Sequence, residues 1–197
     1  MNFLAHLYLS KSNKNILIGN FIADSVKGRN YNNYLPEIKA GILLHRAIDY
    51  YTDTHPIVKK SMRRLNERYR HYDGVIIDIL YDHFLAKNWV NYSEIPLDLY
   101  AKNVYAHLQK NVEIFPERVK TLLPFMVEYN WLVGYASLEG IERVLNGMNK
   151  RTKGISQMNL AIEDLKLHYN ELEEDFTLFF EDILKFTEEK TKELLVT

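Results

Sequence analysis

Cysteine is absent from this 197-residue sequence. Its absence excludes disulfide staples, thiolate-bound zinc, iron–sulfur clusters and a thiol nucleophile together, and it fits a reducing compartment. Proline and glycine are sparse, at 5 and 8 residues, and they fall between apolar stretches, as they do where short loops join helices. No apolar run nears the roughly 18 residues that span a bilayer. The longest, Ile16–Ala23 and Val75–Tyr81, are broken by Asn20 and Asp78. Met1 to Ser10 lacks the Lys or Arg that would open a secretory signal. An excess of one charge is missing too. Lys plus Arg number 25 and Asp plus Glu 26, for a formal charge of −1, which argues against a globally basic nucleic-acid binder. There is no Gly-rich phosphate loop, no Gly-x-Ser-x-Gly elbow and no His-Glu-x-x-His. The expectation is a cytoplasmic protein with neither nucleic acid nor membrane as partner.

Apolar residues make up 47% of the chain and charged residues 26%, enough to bury a core. Period-2 alternation is almost absent. Helical periodicity predicts helices over Asn2–Leu9, Ile16–Lys27 (capped by Gly28), Glu37–Tyr51, Pro56 to about Tyr69, Val75–Trp89, Pro96 to Val112 and Pro116 to Tyr129. Ser137 and Ser156 are expected to cap two more. A last helix is expected from Leu160 to Lys192, with a break near Tyr169–Glu171. The expectation is one all-α, compact multi-helix domain over residues 1–197, with eight to ten helices.

Ionisable residues inside these apolar stretches are the informative ones, because burying a charge costs several kcal/mol unless it is paired or bound to metal. Asn20 and Asp24 are four apart, as are His45 and Asp49, and Asp78 and Asp82, so each pair shares a helix face. His6 is a further intrusion, in Phe3–Leu9, and His83 follows Asp82. Such imidazoles and carboxylates without thiolates suit Mn²⁺, Mg²⁺, Fe²⁺ or catalytic Zn²⁺. Each residue also has a structural reading. A lone helical His is commonly just hydrogen-bonded, Asp53 can close a turn, and Arg46 can pair with Asp49. Asp82-His83 can be a surface pair, and His55, before Pro56, can line a site mouth or close its turn. His71, His107 and His168 read as surface.

The segment Lys59–Arg70 carries six positive charges against one negative. It is either a solvated face or a docking strip for an acidic partner.

Several stretches resemble the acyl carrier protein phosphodiesterase family of bacteria. They are Met1-Asn2-Phe3-Leu4-Ala5-His6-Leu7, Gly19-Asn20-Phe21-Ile22-Ala23-Asp24, Gly41–Asp49 with its Leu44-His45-Arg46, Tyr51-Thr52-Asp53-Thr54-His55-Pro56, and Gly74–Asp78 through Tyr81-Asp82-His83-Phe84-Leu85. The resemblance covers about Met1 to Asn91. It implies a metal-dependent hydrolase, usually with Mn²⁺, that removes 4′-phosphopantetheine from holo-acyl carrier protein. It also implies a helical fold related to HD-type phosphohydrolases, although no His-Asp dipeptide occurs here. On this reading His6, Asp24, His45 and Asp78 hold the metal. Asp49 or Asp82 orients the attacking water, Arg46 neutralises phosphate charge, and His83 or solvent protonates the leaving group. Asn20, His55, Lys59, Lys60, Arg63 and Arg64 contact the substrate, the basic four meeting the acidic carrier. Two alternatives stand beside it: a hydrolase of a small nucleotide or phosphoester, and a non-catalytic module that binds an acidic protein.

Overall fold

A computed structural model of the chain describes residues 1–196. They form eleven α-helices linked by short 3₁₀ turns, with no strand among the described residues. In order these are α1 (Phe3–Leu9), α2 (Lys14–Ile22), α3 (Pro36–Thr54), α4 (Pro56–Met62), α5 (Asp73–Lys87), α6 (Leu97–Lys110), α7 (Glu117–Glu128), α8 (Trp131–Gly134), α9 (Leu138–Arg151), α10 (Ala161–Leu167) and α11 (Tyr169–Val196).

Local chemistry sets most boundaries. The Asn13 side chain accepts from the Asn15 and Ile16 N–H groups and caps α2. Pro36 and Pro56 open α3 and α4 at positions where a missing N–H costs nothing. Ser137 caps α9 through Gly140 N–H. Three expectations needed correction. The chain after α2 tightens into a 3₁₀ turn at Ala23–Ser25, so the helix stops at Ile22 and not Lys27. α4 stops at Met62, and the rest of the basic segment is a 3₁₀ turn, Glu67–Tyr72, with Arg70 at φ 52°. Ser156 caps no helix; its hydroxyl bonds Thr152 and Asn149.

The core is one continuous cluster running from Met1 to Ile183. α3 lies at its centre, against α2 on one side and α11 on the other, while α1 bridges α2 and α5. The α2–α3 contact is unusually close. A Cβ on Gly19 would fall 2.0 Å from the Ile38 carbonyl oxygen, and one on Gly41 would fall 2.2 Å from that of Ile16. Only glycine permits this backbone approach. It brings Asn20, beside Gly19, against His45, one turn beyond Gly41. No helix among the described residues is long and apolar enough to cross a membrane.

Candidate metal centre

Asn20 is 1% exposed, so each of its polar atoms needs a partner. Its Nδ2 donates to the His6 carbonyl at 2.7 Å and to Ser10 Oγ at 3.0 Å. A carbonyl only accepts, so the amide orientation is settled and Oδ1 faces the other way as an acceptor. Both imidazoles use it. His6 Nδ1 lies 2.8 Å from Asn20 Oδ1. His45 Nδ1 lies 3.1 Å from the same oxygen and 2.9 Å from the Asn20 backbone carbonyl. Each Nδ1 therefore carries the proton and donates it, and each ring turns its Nε2 the other way.

The two Nε2 atoms meet carboxylates. His6 Nε2 is 3.1 Å from Asp49 Oδ1, and His45 Nε2 is 3.2 Å from Asp49 Oδ2. His45 Nε2 also lies 3.2 Å from Asp24 Oδ1, at the mouth of the site. The Met1 carbonyl stands 3.1 Å from His6 Nε2. Burial, then the neighbouring His45, lowers the His6 pKa to about 4, so its Nε2 is a bare lone pair among acceptor oxygens. His45 moves the other way. Burial would lower it, but the Asp24 and Asp49 carboxylates raise it to about 9. Burial would raise Asp49, yet the facing His45 and His6 imidazoles hold it well below the usual carboxylate range. The His45 hydrogen bond likewise lowers Asp24.

Imidazole nitrogens and carboxylate oxygens converge here, a donor set that could hold a divalent cation. His6, His45 and Asp49 each offer a ligand atom, all within 4.8 Å of one another. Two ligands about 2.1 Å from one ion stand roughly 3.0–3.4 Å apart, the same range as the separations between Nε2 and the carboxylate oxygens. With both Nδ1 protons donated to Asn20, both Nε2 atoms are in the tautomer that binds metal.

The other expected residues lie elsewhere. Asp78 accepts from the Met1 α-amino group at 2.8 Å; burial raises its pKa and the amine opposes this. Asp82 is fully buried and accepts from Leu4 N–H at 2.7 Å and Ala5 N–H at 3.1 Å, capping the start of α1. Burial pushes its pKa up to about 7 against those bonds. Both carboxylates thus position α1, and through it His6. His83 faces away. Its Nδ1 donates to the Tyr135 carbonyl at 2.8 Å and its Nε2 lies 2.8 Å from the Tyr169 hydroxyl, so neither nitrogen is free. Arg46 makes no ion pair with Asp49. Its guanidinium donates to the Val26 and Gly28 carbonyls at 2.7 and 2.9 Å, fastening the loop after Asp24. His55 caps α4, accepting from Ile57 N–H, and reaches Asp182 at 3.6 Å. Lys60 and Arg64 are held by the buried Asp175 of α11 at 2.7 and 3.1 Å. Lys59 and Arg63 are exposed. His71 is exposed, and His107 lies on the surface 3.1 Å from the Lys14 carbonyl.

Sequence reasoning placed Asn20 with substrate and missed that its single oxygen serves both imidazoles. The signal was present: an amide inside an apolar helix, next to a glycine. The Met1 carbonyl left no signal at all.

The family described as acyl carrier protein phosphodiesterase matches residues 1–183 of the chain. Curated relatives carry the same description. One from Yersinia enterocolitica is 37% identical over 155 residues, covering 78% of this chain and 80% of that protein. One from Photorhabdus laumondii is 37% identical over 155 residues, covering 77% of each. One from Salmonella agona is 34% identical over 152 residues, covering 77% of this chain and 79% of its own. No solved structure matches.

Proposed function

This chain belongs to the acyl carrier protein phosphodiesterase family, and from that premise we propose that it hydrolyses the phosphodiester joining 4′-phosphopantetheine to holo-acyl carrier protein, using a divalent metal held by His6, His45, Asp49 and Asp24. The observation that carries the reading is the orientation of the two imidazoles. Both Nδ1 atoms face the Asn20 side-chain oxygen, and both Nε2 atoms face the Asp49 carboxylate. Asp49 takes the ligand place expected of Asp78.

Mn²⁺ is the metal the family resemblance implies, and the mixed nitrogen and oxygen donors suit it. A cation bound there supplies an electrophile for the phosphate oxygens and a water of lowered pKa. The chain's residues do the rest. Asn20 keeps both rings in the ligating tautomer. Asp24, at the open side, completes the donor set where substrate enters. Arg46, bonded to the Val26 and Gly28 carbonyls, fastens the loop that follows Asp24. Water adds to phosphorus, the bond to the carrier serine breaks, and solvent protonates that oxygen. The products are the apo carrier and free phosphopantetheine.

The test is mass spectrometry of holo-acyl carrier protein incubated with the purified protein. Loss of the phosphopantetheine mass with Mn²⁺, abolished by chelator and by Asp49→Ala, is the expected result. A folded, metal-supplied protein that leaves the holo carrier intact would refute the reaction. Turnover that persists in chelator would refute the metal.

A further inference from the structure

The expected docking strip on α4 is partly neutralised, since Asp175 takes up both Lys60 and Arg64. A different set of cations adjoins the site. Arg46 follows His45 on α3, and its bonds to the Val26 and Gly28 carbonyls clasp the backbone on either side of Lys27. Lys39, two turns earlier on α3, lies over the Tyr31 ring at 5.7 Å from its centroid, and the Arg46 guanidinium over the same ring at 5.2 Å. Lys27 and Arg29 are exposed on the loop so fastened. Among the described residues, none of these four cations has a carboxylate within ion-pair distance. Between Asp24 and Asp49 the sequence has one carboxylate, Glu37. It is occupied on the other side by the Asn13 and Asn15 amides.

The same loop is recessed. Asn30 and Asn33, with Phe115 and Pro116 opposite, line a cavity of about 300 Å³ that begins at Ser25, next to Asp24. The recess is thus built on the same loop that carries Lys27 and Arg29 and that follows Asp24 in the chain.

We infer that the face formed by Lys27, Arg29, Lys39 and Arg46 around Tyr31, and not the Lys59–Arg64 strip, docks the acidic surface of the carrier protein. The inference rests on the proposed function for the partner's identity and adds where that partner sits. Two cations on a short, anchored loop and two on the adjoining α3, none in an ion pair among the described residues, produce a concentrated field that steers an acidic partner. Their position beside Asp24 delivers the partner's prosthetic arm to the site. On the α4 strip Asp175 offsets Lys60 and Arg64, which leaves only Lys59 and Arg63 as exposed, unpaired cations there among the described residues.

The experiment compares Lys27→Glu/Arg29→Glu with Lys59→Glu/Arg63→Glu. Binding of fluorescently labelled acyl carrier protein is measured by anisotropy in chelator. Turnover of the carrier, and of bis(4-nitrophenyl) phosphate as a diester without a protein surface, is measured with Mn²⁺. The loop variant should weaken carrier binding and raise its KM about ten-fold, with a flatter salt dependence. The α4 variant should change either by less than about two-fold. A larger effect from the α4 variant, equal binding by all forms, or a loop variant equally impaired on the small diester would overturn the inference. Wild-type protein that binds no carrier would overturn it as well. Wild-type protein that binds the carrier through this loop but does not hydrolyse it would keep the docking face and refute the reaction, so the two failures are distinct.

Discussion

His6 and His45 stack face to face, with ring centroids 3.9 Å apart and planes 16° from parallel. Two imidazolium ions at that separation would repel one another in a buried site. The pair resolves this by dividing roles, His6 neutral and His45 drawn toward the carboxylates. A bound cation needs both rings neutral, and the Asn20 oxygen beneath them holds both in that tautomer.

Asn20→Ala removes the shared acceptor. Metal affinity should fall about 10–100-fold, the usual consequence of losing an outer partner of ligating histidines. Calorimetric titration with Mn²⁺ measures it. Unchanged affinity in a folded variant would remove Asn20 from the site's support.

Gly41→Ala puts a methyl group against the Ile16 carbonyl. Overpacking of this kind costs about 1–3 kcal/mol, and the α2 backbone has nowhere to yield without separating Asn20 from His45. Urea unfolding should show the stability loss, and metal binding should weaken with it. A variant as stable as wild type would mean the two helices slide apart freely.

Asp175 is 1% exposed and receives Lys60, Arg64 and the Ser61 hydroxyl. Asp175→Ala should destabilise by about 2 kcal/mol, below the value for a fully buried pair because the Lys60 side chain is 55% exposed. Lys60→Ala should cost less than about 1 kcal/mol. Denaturant midpoints at a common slope report both.

Burial lowers the His83 pKa below the ordinary histidine value of 6.5, against the opposing effect of its bond to the Tyr135 carbonyl. The unfolded chain therefore binds a proton first. The stability His83 contributes is fully present above pH 6.5 and is lost as the pH falls through the lower folded value. His83→Asn keeps a donor for Tyr135 and removes the titration. Its unfolding free energy should decline less than that of wild type between about pH 7 and 5. Parallel profiles would show that His83 does not titrate differently on folding.

Helical class and most helix starts followed from local causes: the prolines at 36 and 56, Ser137 as a cap, and the absence of period-2 patterning. So did the suspicion attached to His6, Asp24, His45 and Asp49, because a polar residue in an apolar helix shows its burial cost in the sequence itself. What the sequence could not separate was Asp49 from Asp78. Both sit four residues from another polar group on an apolar helix. Which of them meets the imidazoles depends on how α3 and α5 are rotated against α1 and α2, and that rotation follows from the Gly19–Gly41 contact and the capping of α1 by Asp82. Charge behaved in the same way. Lys60 and Arg64 read as free cations until Asp175, more than a hundred residues away, was placed against them. Spacing along one helix determines which side chains share a face; only the packing of several helices decides what that face meets, because contact energies between distant segments leave no trace in local sequence.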